Sequence, residues 1–263
     1  MSKKWFLLTA GLDPLEIQLA ARRVEKSSAK LYDFAKIINV SASDLPIFAP
    51  KLYSKYPGIF SSKTTGYGFY SWKIELVASA LNGDYGPCDG VVWVDAGCEV
   101  FPTLLNRWIF KRSIQDCEVR GYRFFELDTR EELFTKAKTF EYFQIGSKER
   151  ISPQVQATTF MLYGEVGRRI ANLAFETVYG DLESISDNLG NGDRENGVMH
   201  KFDQSILSLT IKSLELNNRV KVPAAGNRGV ISQIRAIATP IWVSRNRHGK
   251  SIIPAWLRFM IKG

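Results

Sequence analysis

At 263 residues, 45% apolar and 24% charged, the chain has the composition of a globular protein with one large domain. Its three cysteines, Cys88, Cys98 and Cys117, are odd in number and lack C-x-x-C spacing, which argues against a disulfide framework or a zinc site and for a reducing, cytoplasmic setting. The net charge of +8 belongs to one end: after Glu215 come nine Arg and Lys residues and no acidic one, against 26 basic and 27 acidic residues in 1–215, so no nucleic-acid partner is expected from the charge alone.

In chain order, WFLLTAG (5–11) follows two lysines much as a signal peptide would, but the apolar run stops at Asp13, and a first buried strand is expected. Residues 14–31 put Ile17, Ala20, Ala21, Val24 and Leu31 on one helical stripe, with Pro14 at the first position. KIINVSA (36–42) reads as a second strand. Residues 44–66, with three prolines and several Ser, Thr and Gly, read as loop. Residues 72–81 form a helix closed by Asn82-Gly83, and the strand VVWV (91–94) follows.

Further along, 103–115 reads as helix, YRFFEL (122–127) as strand and EELFTKAKTFEYF (131–143) as helix. ATTFMLYG (157–164) is a strand leading into the helix EVGRRIANLAFETV (165–178). Residues 179–197, rich in Gly, Asn and Asp, have the length and composition of a mobile lid or binding loop. The helix FDQSILSLTIKSLE (202–215) carries Phe202, Ile206 and Leu209 on one side. No window reaches the ~18 apolar residues of a membrane span.

Strands alternating with helices predict an α/β sandwich around a mainly parallel sheet. VVWV is then a central strand, apolar on both faces, and Asp95 stands at its carboxyl end, where open α/β sheets bind ligands. Gly97 lets the backbone turn there without a Cβ in the way. Three roles for Asp95 stay open: capping the turn, ligating a divalent cation that bridges a diphosphate, or accepting from a ribose hydroxyl. A phosphate loop is excluded, because neither G-x-x-x-x-G-K-[ST] nor a strand-linked G-x-G-x-x-G is present.

Several motifs in register carry a resemblance. Gly66, Gly68, Trp72 and Lys73 form a glycine-aromatic-glycine run ending in Trp-Lys, and Asp95, Ala96, Gly97 and Cys98 end the strand that follows. Thr135 and Lys136 come next, then His200, Asp203, Gln204, Ser205 and Ile206 in H-x-x-D-Q-S-I, and Ser244–Arg247 near the end. Over most of residues 5–250 this order resembles bacterial glycosyltransferases of surface-polysaccharide (capsule and lipopolysaccharide) clusters. The resemblance implies a single GT-A-like domain over 1–233, a nucleotide-sugar donor, and a glycan or lipid-linked saccharide acceptor. Tyr70 and Ile74 replace a tryptophan and a proline usual in that family, and are expected to alter local packing or acceptor choice.

On that resemblance the donor residues are Asp95, Gly97, Trp72, Lys73 and Gly68, with Arg245 and Arg247 for the diphosphate. Gln204, His200 and Tyr70 are the expected sugar or acceptor contacts, and Asp203 is the candidate general base. A GT-A enzyme usually has Asp-x-Asp, but the second acidic position here is Gly97. Mg2+ or Mn2+ would need Asp95 with Glu99, or with Asp203 or His200 completing the shell; otherwise Arg245, Arg247 and Lys250 neutralise the diphosphate without a metal. The basic amphipathic segment 234–263, with Trp256, Leu257, Phe259, Met260 and Ile261, suits either docking on the body or contact with the inner-membrane surface. The competing reading is a non-catalytic, basic-tailed module that binds nucleic acid or anionic lipid on an inactive core.

Overall fold

Alternation along the first strand, β1 (Trp5–Ala10), splits its side chains between two hydrophobic cores. Trp5 and Leu7 face one, and Phe6, Leu8 and Ala10 the other. The computed structural model describes residues 3–217, 219–221 and 240–243. Beyond β1 its strands are β2 (Lys36–Val40), β3 (Gly90–Val94), β4 (Cys98–Val100), β5 (Tyr122–Arg130), β6 (Pro153–Tyr163), β7 (Arg219–Lys221) and β8 (Ile241–Val243).

Six of them form one sheet in the order β2-β1-β3-β6-β5-β7. Only β6 runs against its neighbours; β2, β1 and β3 are mutually parallel, as are β5 and β7. The helices Leu15–Leu31 and Leu104–Arg120 cover the Trp5 face through Val24, Leu31, Phe110, Ile114 and Cys117. The helices Ser71–Asn82, Gly164–Gly180 and Phe202–Ser213 cover the other. The chain is therefore an α/β/α sandwich with a mainly parallel sheet. Since β3 lies between β1 and β6, all five of its residues are buried, which explains why it reads as an unbroken apolar run.

β4 and β8 pair antiparallel in a small second sheet. Ile241–Val243, from the basic C-terminal segment, is thus tied to the strand that follows Asp95. The expected boundary at 233/234 lies outside the described residues, as do Arg245, Arg247, Lys250 and the apolar residues 256–261.

Three segments depart from expectation. Residues 44–66 are not plain loop: they contain the short helices Leu45–Phe48 and Pro50–Lys55, each with a proline in its first turn. The buried Glu75 carboxylate accepts the Lys51 and Leu52 N–H groups at 2.8 Å, so it satisfies the free donors at the start of the second helix. Residues 131–143 do not make one helix; the 3-10 turn Glu131–Leu133 is separated from the helix Ala137–Tyr142 because Glu131, Thr135 and Lys136 turn inward to polar partners. Residues 179–197 hold the turn Leu182–Ser184 and the helix Asn191–Glu195, with Ser184, Ile185, Ser186 and Asp193 buried. The Lys136 ammonium donates to Ser186 O, Ser186 Oγ and Asn188 O at 2.8–3.3 Å, an internal anchor that composition alone does not reveal.

Candidate active site

At the end of β3 the Asp95 N–H still donates to Thr158 O of β6 at 2.9 Å, while the chain turns and the Cys98 N–H closes back on Asp95 O at 3.0 Å. Period-2 alternation puts Trp93 on the same face as Asp95, and its indole N–H donates to Asp95 Oδ1 at 2.5 Å. The same oxygen accepts from Lys73 Nζ at 3.1 Å. Among the described residues, Oδ2 accepts no hydrogen bond, and 39% of the side chain remains exposed.

Lys73 sits in the first turn of Ser71–Asn82, and its other two ammonium hydrogens are also taken. Nζ donates to Ala157 O at 2.7 Å and lies 2.8 Å from Asp203 Oδ2, with the Trp93 ring centroid 4.6 Å away. Burial, at 3% exposure, opposes the ammonium charge, but the carboxylates of Asp203 and Asp95 outweigh it and hold the Lys73 pKa above the usual lysine value. Asp203 is 8% exposed; burial pushes its pKa up, Lys73 works against that rise, and Asp95 adds to it. One lysine therefore holds two like charges together.

The backbone that delivers Lys73 is unusual. Gly66, Tyr67, Gly68, Phe69 and Tyr70 all have positive φ, between 54° and 95°. Three of these are not glycine, and a left-handed residue costs about 1–2 kcal/mol. The turn is held by Phe69 N–H to Thr65 O at 2.7 Å, by Trp72 Nε1 to Gly66 O at 2.9 Å, and by the Tyr67 hydroxyl donating to Asp13. Gly68 is left-handed at φ 95°, and a Cβ there would press on Ile59 at 3.1 Å. Asp203 is the second residue of the helix Phe202–Ser213, whose first residue Phe202 has φ 44° and stacks on Phe69.

The structure brings Lys73, Asp95 and Asp203 together, with Gln204 beside them. Gln204 accepts from the Ala157 N–H at 3.4 Å and donates to Gln154 at 2.6 Å, so its amide is engaged by β6. Gly97 lies in the Asp95 turn, and Tyr70 is exposed and tilted against Phe202 at 6.1 Å. Trp72 is in the core beside Trp93, with ring centroids 6.1 Å apart and little surface to offer a base. His200 is buried, accepting from the Lys136 N–H at 3.4 Å, and burial followed by the Lys136 charge lowers its pKa to about 3. Thr135 also turns inward, donating to Glu131 at 2.6 Å.

Sequence reasoning missed Arg23, Trp93, Ala157 and the Asp13–Tyr67 pair. Arg23 donates to Ala96 O at 3.2 Å and Cys98 O at 3.0 Å, bracing the Asp95 turn from the helix Leu15–Leu31. Trp93 was legible from strand alternation. The Ala157 carbonyl and the Asp13–Tyr67 contact left no sequence signal, being products of packing. At the carboxyl ends of β1 and β2, Gly11, Gln18, Arg22, Asn39, Ser41 and Asp44 line a cleft of about 200 Å³. Because β1 lies between β2 and β3, that cleft opens about one to two strand spacings, ~5–10 Å, from Asp95.

Among the described residues, the groups that could hold a divalent metal are engaged elsewhere. Asp95 and Asp203 share the Lys73 ammonium, and Glu99 lies 3.4 Å from Arg23. His200 is turned to Lys136. No group of three or more His, Cys, Asp or Glu among the described residues is arranged around one point.

No family model matches the chain. No curated protein matches it. Among solved structures it is similar to mouse xyloside xylosyltransferase 1 in its apo form, at 14% identity, covering 90% of this chain and 96% of that one with a TM-score of 0.45. It is also similar to a glycosyltransferase involved in glycosylation of the major capsid of PBCV-1, at 11% identity, 99% and 100% coverage and a TM-score of 0.48. A third is the galactosyltransferase LgtC in complex with donor and acceptor sugar analogs, at 14% identity, 90% and 85% coverage and a TM-score of 0.41.

Proposed function

We propose that this protein is a glycosyltransferase that moves a hexose-type sugar from a nucleotide donor to a glycan or lipid-linked saccharide in bacterial surface-polysaccharide synthesis. The observation that carries the reading is the pair Asp95 and Asp203, clamped by one buried lysine at the carboxyl end of β3, next to β1, where the strand order of the sheet reverses. In this reading the nucleoside lies in the cleft lined by Gln18, Arg22 and Asn39, and the free Oδ2 of Asp95 accepts from a ribose hydroxyl. Asp203, with its pKa raised by burial, is the base: it takes the proton of the acceptor hydroxyl as that oxygen bonds to the anomeric carbon. The bond from that carbon to the diphosphate breaks, and the nucleoside diphosphate leaves. Arg245 and Arg247 are proposed to meet its charge.

A lipid-linked acceptor calls for contact with the inner membrane from the cytoplasmic side. Leu104, Leu105 and Trp108 are exposed on the first turns of Leu104–Arg120, rimmed by exposed Arg107, Lys111 and Arg112, a combination that suits an anionic leaflet. No helix among the described residues is long and apolar enough to cross a membrane. Calorimetric titration of UDP, GDP, dTDP and CMP into wild type and Asp95→Ala tests the donor site. One nucleotide is expected to bind selectively and to lose its affinity in Asp95→Ala; absence of binding by all four would end the transferase reading.

A further inference from the structure

We infer that Lys73 takes the place of a divalent cation at the Asp95–Asp203 pair, so that nucleoside diphosphate binding here needs no divalent metal. The inference rests on the donor-site reading above but draws on a separate observation, the set of acceptors around one nitrogen. Asp203 Oδ2 at 2.8 Å, Asp95 Oδ1 at 3.1 Å and Ala157 O at 2.7 Å surround Lys73 Nζ. Two carboxylates and a carbonyl are the hard oxygen donors that magnesium or manganese would choose. The lysine already fills the space they enclose, and it does so as a buried cation, stacked 4.6 Å from the Trp93 ring.

The groups that could rebuild a metal shell elsewhere are committed. Glu99 faces Arg23 at 3.4 Å, His200 accepts from the Lys136 backbone, and the second position of an Asp-x-Asp is Gly97. All three hydrogens of the Lys73 ammonium point to protein acceptors, so it neutralises the carboxylates without reaching the diphosphate. The diphosphate charge is left to other cations, of which the sequence after Glu215 contains nine, with no acidic residue among them. Removing the lysine side chain leaves two carboxylates and a carbonyl facing one another around an opening, which is a ligand set for a metal.

Two measurements test this. Manganese uptake by the free protein is followed by electron paramagnetic resonance in wild type and Lys73→Ala, with circular dichroism to establish that the variant folds. Binding of UDP, GDP, dTDP and CMP is measured calorimetrically for both proteins, in excess manganese and in EDTA. Wild type is expected to take up no manganese and to bind its nucleotide with the same affinity, within about twofold, in both conditions. Lys73→Ala is expected to take up one manganese, and its nucleotide affinity to fall about tenfold or more in EDTA and return with the metal.

Wild-type binding that requires manganese overturns the inference, as does wild-type manganese uptake that Asp95→Asn abolishes. A folded Lys73→Ala that takes up no manganese overturns it too. If Lys73→Ala does not fold, the EDTA comparison on wild type decides alone. If no nucleotide binds under any condition the donor-site reading fails, while the manganese measurements still decide what Lys73 replaces.

Discussion

Phe69 and Phe202 stack with ring centroids 5.8 Å apart, and each has positive φ, 58° and 44°. The contact joins the left-handed turn that leads to Lys73 with the residue that precedes Asp203. Two strained segments are held in register by one aromatic pair, and the Lys73–Asp203 ion pair follows at 2.8 Å. Phe69→Ala is expected to lower stability by about 3 kcal/mol and to weaken nucleotide binding as the pair loosens, whereas Phe69→Leu recovers most of both. Denaturant unfolding together with calorimetry would check this; unchanged nucleotide affinity in a destabilised Phe69→Ala would separate the stack from the site.

His200 offers a pH test. Burial and the Lys136 charge lower its folded pKa to about 3, below the usual histidine value. The folded state therefore holds fewer protons than the unfolded one between those values. The stabilising effect of the neutral ring is complete above about pH 6.5 and is lost as pH falls toward the folded pKa. Its slope is at most about 1.4 kcal/mol per pH unit. His200→Gln should unfold less steeply between about pH 6 and 4 than wild type in urea titrations; parallel acid limbs would contradict the assignment.

A second buried ion pair supports the site from behind. Lys212 Nζ lies 2.6 Å from Glu131 Oε2, both side chains almost wholly buried, and Glu131 Oε1 accepts from Gln154, which in turn accepts from Gln204 at 2.6 Å. Lys212→Met leaves the Glu131 charge buried with one cation fewer and is expected to cost about 3–5 kcal/mol. The double variant Lys212→Met/Glu131→Gln should recover a large part of that loss. Thermal unfolding of both would settle the matter, and equal destabilisation of single and double variants would count against the pairing.

Membrane contact through Leu104, Leu105 and Trp108 can be read by sedimentation with vesicles. Wild type should bind vesicles containing phosphatidylglycerol and be released by salt, since Arg107, Lys111 and Arg112 rim the apolar residues. Leu105→Glu/Trp108→Glu should reduce binding about tenfold or more without changing the thermal transition. Binding that persists in this variant would move the contact elsewhere, to the basic C-terminal segment.

Much of the fold was legible because secondary structure is a local property. The apolar run of β3, the stripe on residues 14–31 and the Asn82-Gly83 stop are patterns within a few turns of chain, and each element lies where its pattern puts it. Asp95 was legible for the same reason: a carboxylate after a buried strand has one topological address. Residues 131–143 were misread because a helical pattern does not say that Glu131 and Thr135 will find Lys212 and Gln154 in the core.

What the tertiary structure alone decided is who neutralises whom. By itself the sequence determined that Asp95 follows a buried strand and that Lys73 and Asp203 stand near the starts of two helices. It left open whether Lys73 reaches a ligand, whether Glu99 or His200 completes a metal shell, and what Arg23 does. Those are long-range choices set by side-chain reach and by the cost of burying an unpaired charge. Once the helices Ser71–Asn82 and Phe202–Ser213 pack against β3 and β6, the buried ammonium must find acceptors, and it finds Asp95, Asp203 and Ala157.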